Sequence, residues 1–464
     1  MKKLNISGKD LKRIGIHDEQ TVSLAKNILI KYFKQLPKKE ALDIAKKVAS
    51  NPDKFLNHPE LGKIASRLKK KQASAPKSVR LRELRPYKIY GESYIEQGAI
   101  QQMETAMKLP IAVKGALMPD AHQGYGLPIG GVLAAENAVI PYGVGMDIGC
   151  RMCMSIYSLD TAGIQLNFKK WEQILDEHTR FGRAEFTEKK DDPVLDRPEF
   201  NEIKFLKSLQ KKAYDQLGTS GHGNHFVDIG ILEIHEAIPE KNLLPGTYLA
   251  VLSHSGSRGS GAEIARHYTR LAAQICELPK GAKSLAWLDL NSQEGQEYWK
   301  AMNWAGDYAA ANHHFIHHKI AQAVGEEPLT MIENHHNFAW KEVQHDGTSL
   351  IVHRKGATPA HKEVLGIIPG SMATPAYIVR GLGNEDSINS AAHGAGRLMS
   401  RSDAKKRFSQ KQIHELLKEK GILLIGAGTD EAPMAYKDIQ EVMDLQKDLV
   451  RKAAVFYPKI VKME

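Results

Sequence analysis

The residues best suited to chemistry lie in six short stretches that are rich in glycine and carry histidine, or aspartate with cysteine. The stretches are MPDAHQGYGLPIGG (118–131), PYGVGMDIGCRM (141–152), GTSGHGNHFVDIG (218–230), SHSGSRGSG (253–261), ENHHNFAW (333–340) and NSAAHGAGR (389–397). Glycine permits sharp turns and close backbone approach to a ligand, while histidine, aspartate and thiolate are common metal-binding groups. One such stretch is usually only a turn. Because packing gives no reason to repeat this texture six times, we expect one shared active site.

The donor types narrow the chemistry of this site. Asp147 and Cys150 are three residues apart, so one turn could direct both at the same ion. Together with the imidazoles of His225, His254 and His336, they form a donor set that suits Mn, Zn, Co or Fe better than Mg or Ca. Five ligands exceed a tetrahedral requirement, and two ions sharing a bridging thiolate would use them well. A structural zinc site would favour two Cys-x-x-Cys pairs, and the chain has one.

The region from about residue 86 onward has the pattern of a mixed α/β domain. Apolar runs bounded by glycine, such as GVLAA, TYLAVLSH, SLIVHRKG and GILLIGAG, predict buried strands. Helical patterns such as AEIARHYTRLAAQIC lie between them. The sequence has neither G-x-x-x-x-G-K-[ST] nor a convincing G-x-G-x-x-G at the start of a helix. A nucleotide would therefore be bound without either of these phosphate loops.

Residues 1–72 are predicted to form a separate, small helical domain. DEQTVSLAKNILIKYF, KKEALDIAKKVAS and PELGKIASRLKKK each place apolar residues at helical spacing, which predicts three helices. Residues 73–85 follow as a basic linker, and residues 61–85 hold nine Lys or Arg against one acid. This charge suits contact with a phosphate backbone, but it is equally typical of a solvated linker or helix face.

Composition sets the broad class of the protein. The chain has 464 residues, 42% hydrophobic and 25% charged, and a net charge of +10, which modestly favours a polyanionic partner. No apolar run approaches the roughly 18 residues of a membrane span, and the N-terminus does not have the pattern of a signal peptide. With three cysteines, a disulfide framework is not expected, which favours a reducing, cytoplasmic location.

The motifs resemble those of a known family. MPDAHQGYGLPIGG, GVGMDIGC, GHGNHF, HSGSRG, HHN, RKGAT, PGSM, HGAGR and DEAPMAYKDI occur in this order in the RtcB family of RNA ligases. The resemblance covers about 86–464 and implies an α/β (mixed α+β) catalytic domain with a central cleft for metal and nucleotide. It implies GTP- and Mn²⁺-dependent joining of RNA 3′-phosphate or 2′,3′-cyclic-phosphate ends to 5′-hydroxyl ends. The task would be tRNA splicing or RNA repair, and an activating protein partner is a further expectation.

The resemblance also implies a role for individual residues. His393 would be the nucleophile that carries GMP. One Mn²⁺ would be held by Cys150, His225 and His254, and the other by Asp147, Cys150 and His336, with Zn and Co as alternative metals. The GTP or GMP site would comprise Asn224, Asp228, Asn337, Pro369, Gly370, Ser371, Met372, Gly394, Ala395, Gly396, Tyr436 and Lys462. Arg397 and Arg401 would contact RNA phosphates, which the planar guanidinium fork suits.

Three departures from the family pattern fall in the guanosine pocket. Asp228 stands where the family often has Glu, Ala376 replaces a serine, and Lys462 is not followed by glycine. Two other functions are also considered. A two-metal phosphoesterase acting on RNA ends would need the metal ligands but not His393 or Lys462. A non-catalytic RNA-binding relative would need neither the ligands nor the nucleophile.

Overall fold

The computed structural model describes residues 4–73, 77–161 and 167–464, and its contacts divide the chain into two compact units. The first unit is Met1–Lys77 and the second is Ser78–Glu464.

The first unit is helical in its described part. Its helices are α1 (Gly8–Arg13), α2 (Glu19–Tyr32), α3 (Lys38–Ser50) and α4 (Gly62–Ala73). The last three lie where the sequence predicts helices. Helix α1 was not predicted, although its signal is legible: Ser7 and Asp10 form a capping box, each bonding the other's backbone N–H. Buried aliphatic side chains from all four helices form one core, which includes Leu11, Leu29, Val48 and Ile64.

The second unit contains most of the secondary structure. Its helices are α5 (Gln97–Met107), α6 (Pro141–Val144), α7 (Phe168–His178), α8 (Glu199–Glu202), α9 (Lys204–Lys207), α10 (Gln210–Gln216), α11 (Arg258–Ile275), α12 (Gln293–Val324), α13 (Arg401–Arg407), α14 (Gln410–Glu419) and α15 (Ile439–Asp444). The strands of the chain are β1 (Lys77–Ser78), β2 (Lys88–Ile89), β3 (Ala112–His122), β4 (Ile129–Ala135), β5 (Ala138–Val139), β6 (Arg151–Tyr157), β7 (Phe226–Ile234), β8 (Gly246–Ser255), β9 (Cys276–Glu277), β10 (Leu288–Asp289), β11 (Thr330–His335), β12 (Asn337–Val343), β13 (Ser349–Lys355), β14 (Ala357–Pro359), β15 (Leu365–Ile368), β16 (Ala376–Gly381), β17 (Ser390–Ala392), β18 (Leu423–Ile425) and β19 (Val450–Lys462).

An eight-stranded sheet forms the centre of this unit. Its strand order is β11-β6-β8-β7-β19-β16-β15, with β18 added in parallel beside β19. One face carries a core of Met152, Leu232 and Leu252, and the other packs Val227 and Val251 against Ile316 of α12. Because both faces are covered, its strands read as nearly continuous apolar runs.

A five-stranded sheet, in the order β12-β13-β4-β3-β2, lies against the first. Val132 and Val352 of this sheet share a core with Ile368 and Val379 of the eight-stranded sheet. The two sheets are connected directly by the single residue His336, which lies between β11 and β12. The mixed α/β fold is therefore confirmed, and the junction of its two sheets positions His336. No helix in the described ranges is long and apolar enough to span a membrane.

Candidate active site

The five predicted metal ligands lie together at one end of neighbouring strands. Cys150 directly precedes β6, His225 directly precedes β7, and His254 is the penultimate residue of β8. His254 is the register partner of both Met152 and Phe226, so antiparallel pairing brings these three ends to one edge.

The donor atoms of these residues lie at the spacing of ligands around shared ions. Cys150 Sγ is 3.1 Å from His254 Nε2 and 3.5 Å from His225 Nε2. His225 Nε2 lies 2.9 Å from Asp147 Oδ2, and His254 Nε2 lies 3.2 Å from His336 Nε2. Metal–ligand bonds of ~2.0–2.3 Å place tetrahedral ligand atoms roughly 3.3–3.7 Å apart. Cys150, His225 and His254 in particular converge closely enough to hold one ion.

Burial keeps this cluster largely uncharged in the absence of an ion. Burial, followed by the charge of Asp147, raises the pKa of the Cys150 thiol well above its usual value. Burial and then His225 lower the pKa of His254 to about 3, and burial and then His393 hold the pKa of His336 well below its usual range. For Asp147, burial acts to raise the pKa, but His225 outweighs it and the net pKa is lowered. The neutral imidazoles of His254 and His336 and the Asp147 carboxylate are already in the ligand form, whereas the Cys150 thiol must lose a proton to bind an ion.

The donor chemistry fits a transition-metal ion. Imidazole nitrogens and a thiolate beside one carboxylate suit Mn, Fe, Co or Zn, whereas Mg and Ca prefer all-oxygen sites. His254 Nδ1 donates to the Asn224 carbonyl oxygen at 2.9 Å, which fixes its tautomer and directs Nε2 to the cluster. The Nδ1 atoms of His225 and His336 have no hydrogen-bond partner among the described residues.

Gly256, the first glycine of the SHSGSRG stretch, stands at a position where a side chain would not fit. A Cβ atom built on Gly256 would lie 2.1 Å from Asp147 Oδ1, closer than any real contact. The backbone after β8 thus passes directly against the Asp147 carboxylate. A larger residue at 256 would displace that carboxylate from the cluster.

His393 lies beside the metal cluster and is held by a buried carboxylate. It follows β17, and its ring centroid is 4.9 Å from that of His336. Its Nδ1 is 2.6 Å from Asp120 Oδ2, and its backbone N–H donates to the same oxygen at 3.1 Å. The Nδ1–H donated to Asp120 leaves the lone pair on Nε2, which is the nucleophilic form of imidazole. Asp120 is fully buried, whereas the His393 side chain is 16% exposed and therefore accessible from the cleft.

A cleft of about 350 Å³ joins these features. Its lining includes eighteen of the predicted site residues, namely Asp147, Cys150, Asn224, Asp228, His254, His336, Asn337, Pro369, Gly370, Ser371, Met372, His393, Gly394, Ala395, Gly396, Arg397, Arg401 and Tyr436. His225 lies behind this lining, against Asp147 and Cys150. The volume is within the range of small-molecule sites.

Lys462 is not among the residues that line the cleft. Its Nζ donates to the Leu175 carbonyl oxygen at 3.1 Å and to Asp176 Oδ1 at 2.8 Å. Its neighbours Val461 and Met463 do line the cleft. Successive side chains of strand β19 point to opposite faces, so the Lys462 side chain points away from the cleft that its two neighbours line.

The two predicted phosphate-binding arginines converge on one acid. Arg397 Nη1 donates to Glu431 Oε2 at 3.1 Å, and Arg401 Nη2 lies 3.1 Å from Glu431 Oε1. The Tyr436 hydroxyl also bonds Glu431, and the Arg397 guanidinium lies 5.0 Å from the centre of the Tyr436 ring. Arg401 Nη2 donates to Asn224 Oδ1 at 3.2 Å as well. This network fixes one wall of the cleft.

The sequence reasoning missed Asp120, which lies behind the cleft against His393, and Lys355 and Glu431, which line it. Asp120 lies within the quoted MPDAHQGYG stretch, where only the histidine and glycines attracted attention. Lys355 is buried and donates to the carbonyl oxygens of Tyr125, Leu127 and Tyr142, and burial lowers its pKa to about 7. Glu431 is also buried. A nucleophilic histidine usually needs an acid to orient its ring, so Asp120 could have been considered as a candidate. The sequence does not show, however, that Asp120 lies beside His393.

The fold and the site together define an α/β protein that can hold transition-metal ions beside a histidine oriented by a buried carboxylate. The family model described as "tRNA-splicing ligase RtcB" matches residues 102–204 and 195–463. The chain is 36% identical to the RNA-splicing ligase RtcB of Escherichia coli (strain K12) over 394 residues, which covers 77% of this chain and 91% of that protein. It is 31% identical to the tRNA-splicing ligase RtcB of Methanococcus maripaludis (76% and 88% covered) and 32% identical to that of Nanoarchaeum equitans (78% and 92% covered). The chain belongs to the RtcB family, as the order of its motifs predicts.

Proposed function

We propose that this protein is a GTP- and Mn²⁺-dependent RNA ligase that joins 3′-phosphate or 2′,3′-cyclic-phosphate ends to 5′-hydroxyl ends. The observation that carries the proposal is the pair of His393 and Asp120 beside a five-ligand metal cluster in one cleft. The names of the relatives, which are RNA-splicing and tRNA-splicing ligases, support RNA as the substrate.

In the proposed first step, His393 Nε2 attacks the α-phosphorus of GTP. An N–P bond forms, the P–O bond to the β-phosphate breaks, and pyrophosphate leaves with the electron pair. Asp120 accepts the Nδ1–H throughout, so the ring stays oriented and the positive charge that develops on it is stabilised. Neutral imidazole is a competent nucleophile near pH 7, and the N–P bond is labile enough for transfer.

The later steps move GMP to the RNA and then release it. A 3′-phosphate oxygen of the RNA attacks the same phosphorus, and His393 leaves with the N–P electron pair. The 5′-hydroxyl oxygen then attacks the RNA 3′-phosphorus, its proton is lost to solvent, and GMP departs. A cyclic phosphate would first be opened to the 3′-phosphate by water.

Mn²⁺, when bound, would neutralise phosphoryl oxygens and favour in-line attack. Cys150, His225 and His254 would hold one ion, and Asp147, Cys150 and His336 the other. The spacing of the donor atoms and their soft-to-borderline chemistry support this assignment.

The nucleotide pocket is supported by one unsatisfied group. Asp228 lines the cleft, is buried, and has an Oδ1 atom with no hydrogen-bond partner among the described residues. Burial raises its pKa well above the usual value. The N–H groups of guanine would supply the missing donors and favour the carboxylate form. Asn224, Asn337, Tyr436, the 369–372 turn and the 394–396 turn complete the proposed pocket. Lys462 is left out because its amine is bonded elsewhere.

The proposed reaction is tested by ligation of defined RNA ends. Purified protein with Mn²⁺ and GTP should join a 3′-phosphate strand to a 5′-hydroxyl strand, and should not join 3′-hydroxyl to 5′-phosphate ends. Release of inorganic phosphate from the 3′-end without joining would favour the two-metal phosphoesterase. RNA binding without either reaction, in protein shown to hold metal, would favour the non-catalytic relative.

We further propose that the first unit binds RNA. Residues 1–77 contain 19 of the 64 Lys and Arg and 7 of the 54 Asp and Glu, giving a net charge of +12, whereas residues 78–464 have a net charge of −2. Three of these basic side chains are in ion pairs within the described part of the unit: Lys12 with Glu19, Lys38 with Asp10 and Lys69 with Asp53. Others are exposed on the helices, among them Lys46, Lys47, Lys63 and Arg67. An RNA-binding role for this unit would favour a repair or specialised substrate.

A cytoplasmic location and an activating protein partner remain predictions.

Salt dependence tests the role of the first unit in RNA binding. The test variant has Lys46, Lys47, Lys63 and Arg67 replaced with Gln. It should reduce the slope of log affinity against log salt by about 3, since each phosphate contact contributes roughly 0.7–0.9. The RNA probe would have 5′-phosphate and 3′-hydroxyl ends, so that joining does not contribute. The matched control has Gln at Lys411, Lys418, Lys420 and Lys447, which are exposed in the second unit. Equal slopes for the two variants would refute the proposal.

A further inference from the structure

A second cluster of metal-binding side chains lies in the second unit, apart from the five cleft ligands. Cys153 of β6 faces His313 and His317 of α12, and the ligand atoms of the three residues lie within 4.8 Å of one another. All three side chains are buried. The two histidines are four residues apart, so they lie on the same face of the helix, one turn from each other. This is the spacing at which helical histidine pairs bind zinc.

The cluster lies on the opposite face of the strands that carry the catalytic ligands. Ser253 and Ser255 flank His254 on β8, and side chains alternate between the two faces of a strand. Ser253 contacts both histidines of α12, whereas His254 faces Cys150. The site is therefore separate from the cleft but shares its strands.

Both histidines are oriented as metal ligands usually are. His313 Nε2 donates to the Ser255 carbonyl oxygen at 3.1 Å, and His317 Nδ1 is 2.6 Å from Ser155 Oγ. Their other ring nitrogens, His313 Nδ1 and His317 Nε2, point to one place, which is marked by Ser253 Oγ at 2.6 and 2.8 Å respectively. A protein oxygen on the far nitrogen of each imidazole is the usual support of a metal-binding histidine.

Without an ion, the same atoms form a single chain of hydrogen bonds. The Ser255 carbonyl can only accept, so His313 Nε2 carries its proton and Nδ1 accepts from Ser253. Ser253 has one proton, so His317 Nε2 must donate to it, and Ser155 donates to His317 Nδ1. The Cys153 sulfur takes no part in this chain, although it faces the same two histidines.

The electrostatics of the cluster agree with a neutral pair of imidazoles beside a protonated thiol. Burial lowers the pKa of His317 to about 3 and holds the pKa of His313 well below its usual range. Burial also raises the pKa of the Cys153 thiol. A divalent cation would reverse the state of the thiol, because a metal-bound cysteine is deprotonated.

We propose that Cys153, His313 and His317 form a structural binding site for a zinc-like divalent metal ion, with the Ser253 hydroxyl or a water molecule as fourth ligand. Three soft or borderline ligands in a buried place suit Zn²⁺ and Co²⁺ and disfavour Mg²⁺ and Ca²⁺. Closing the cluster from its present spacing to the roughly 3.3–3.7 Å of bound ligands needs side-chain movements of about 1 Å. The ion would tie α12 to β6 and β8 directly behind the catalytic ligands.

The three cysteines of the chain permit a clean spectroscopic test with Co²⁺ alone. A variant with Cys150→Ala and Cys276→Ala retains Cys153 as its only thiol. Metal-stripped variant protein titrated with Co²⁺ should show a near-ultraviolet charge-transfer band from thiolate to cobalt. Adding Cys153→Ala should abolish the band, and His317→Ala in its place should weaken the binding that gives the band at least tenfold.

The outcomes separate this proposal from the ligase proposal, on which it does not rest. Circular dichroism must first show that the double variant is folded. A folded double variant that gives no thiolate–cobalt band at any Co²⁺ concentration would refute the site and leave the hydrogen-bonded chain as the native state of the cluster. Should Cys153→Ala fail to fold, the double variant and its His317→Ala derivative still decide the matter.

Discussion

Replacing Asp120 with asparagine should disable His393 without removing it. The Asp120 Oδ2 atom accepts two hydrogen bonds from His393, while its Oδ1 atom is buried and has no partner among the described residues. If the amide oxygen of asparagine takes the Oδ2 position, its NH₂ group is buried without an acceptor and the charge is lost. If the NH₂ group takes the Oδ2 position instead, it faces the His393 Nδ1–H and favours the tautomer with the proton on Nε2. The Nε2 atom then has no free lone pair and is not nucleophilic.

Either orientation has a calculable effect on nucleotidyl transfer to His393. Loss of a charged hydrogen bond costs about 1.5–3 kcal/mol, which is roughly 10- to 150-fold in rate. A wrong tautomer cost about 10⁴-fold in the analogous triad of serine proteases. We therefore expect Asp120→Asn to lower the single-turnover rate of GMP attachment by about 10- to 10⁴-fold.

The assay follows label from α-³²P GTP onto the protein in the presence of Mn²⁺. Asp289→Asn is the matched control, because that carboxylate also accepts hydrogen bonds, but from Asn137 and Asn291 and not from His393. An Asp120→Asn rate within threefold of the unsubstituted rate would show that Asp120 does not orient the nucleophile.

Three further predictions concern the metal cluster and the C-terminal lysine. Because the pKa of Cys150 is raised, the thiol is protonated near pH 7 and must lose a proton to bind Mn²⁺; affinity should therefore rise about tenfold per pH unit from pH 6 to 8. Calorimetry in two buffers of different ionisation enthalpy should detect the release of this proton on Mn²⁺ binding in the unsubstituted protein and not in Cys150→Ala. Gly256→Ala should weaken Mn²⁺ binding at least tenfold by displacing Asp147. The control Gly281→Ala should not weaken it, because a Cβ at that position meets no atom within 4 Å. Equal Mn²⁺ affinities of the two variants would contradict the steric argument. Lys462→Met should leave the GTP concentration for half-maximal labelling of His393 within twofold, and a tenfold increase would mean that Lys462 reaches the nucleotide after all.

The sequence was sufficient for the parts of this account that depend on local pattern. Apolar runs bounded by glycine predicted β4, β8, β13 and β18, and the six glycine-rich stretches do contribute to one cleft. The predicted metal ligands could be named because their side-chain types are unusual in that setting, and the structure brings these five side chains together.

Long-range partners and side-chain directions required the structure. Asp120 and His393 are 273 residues apart, and no local pattern relates them. Lys462 was matched to the cleft by its position near the C-terminus, but the alternation of strand β19 directs its amine to Asp176. The cluster of Cys153, His313 and His317 depends on how α12 packs behind β6, which spacing alone does not reveal.

The most direct test of the central claim is nucleotide labelling of His393 itself. Protein loaded with Mn²⁺ is incubated with each of the four α-labelled nucleoside triphosphates, beside a His393→Ala variant. We expect an acid-labile adduct from GTP that is absent in the variant. An adduct from ATP in place of GTP would contradict the guanine assignment at Asp228. The absence of any adduct, in protein shown to hold metal, would contradict the nucleophilic role of His393.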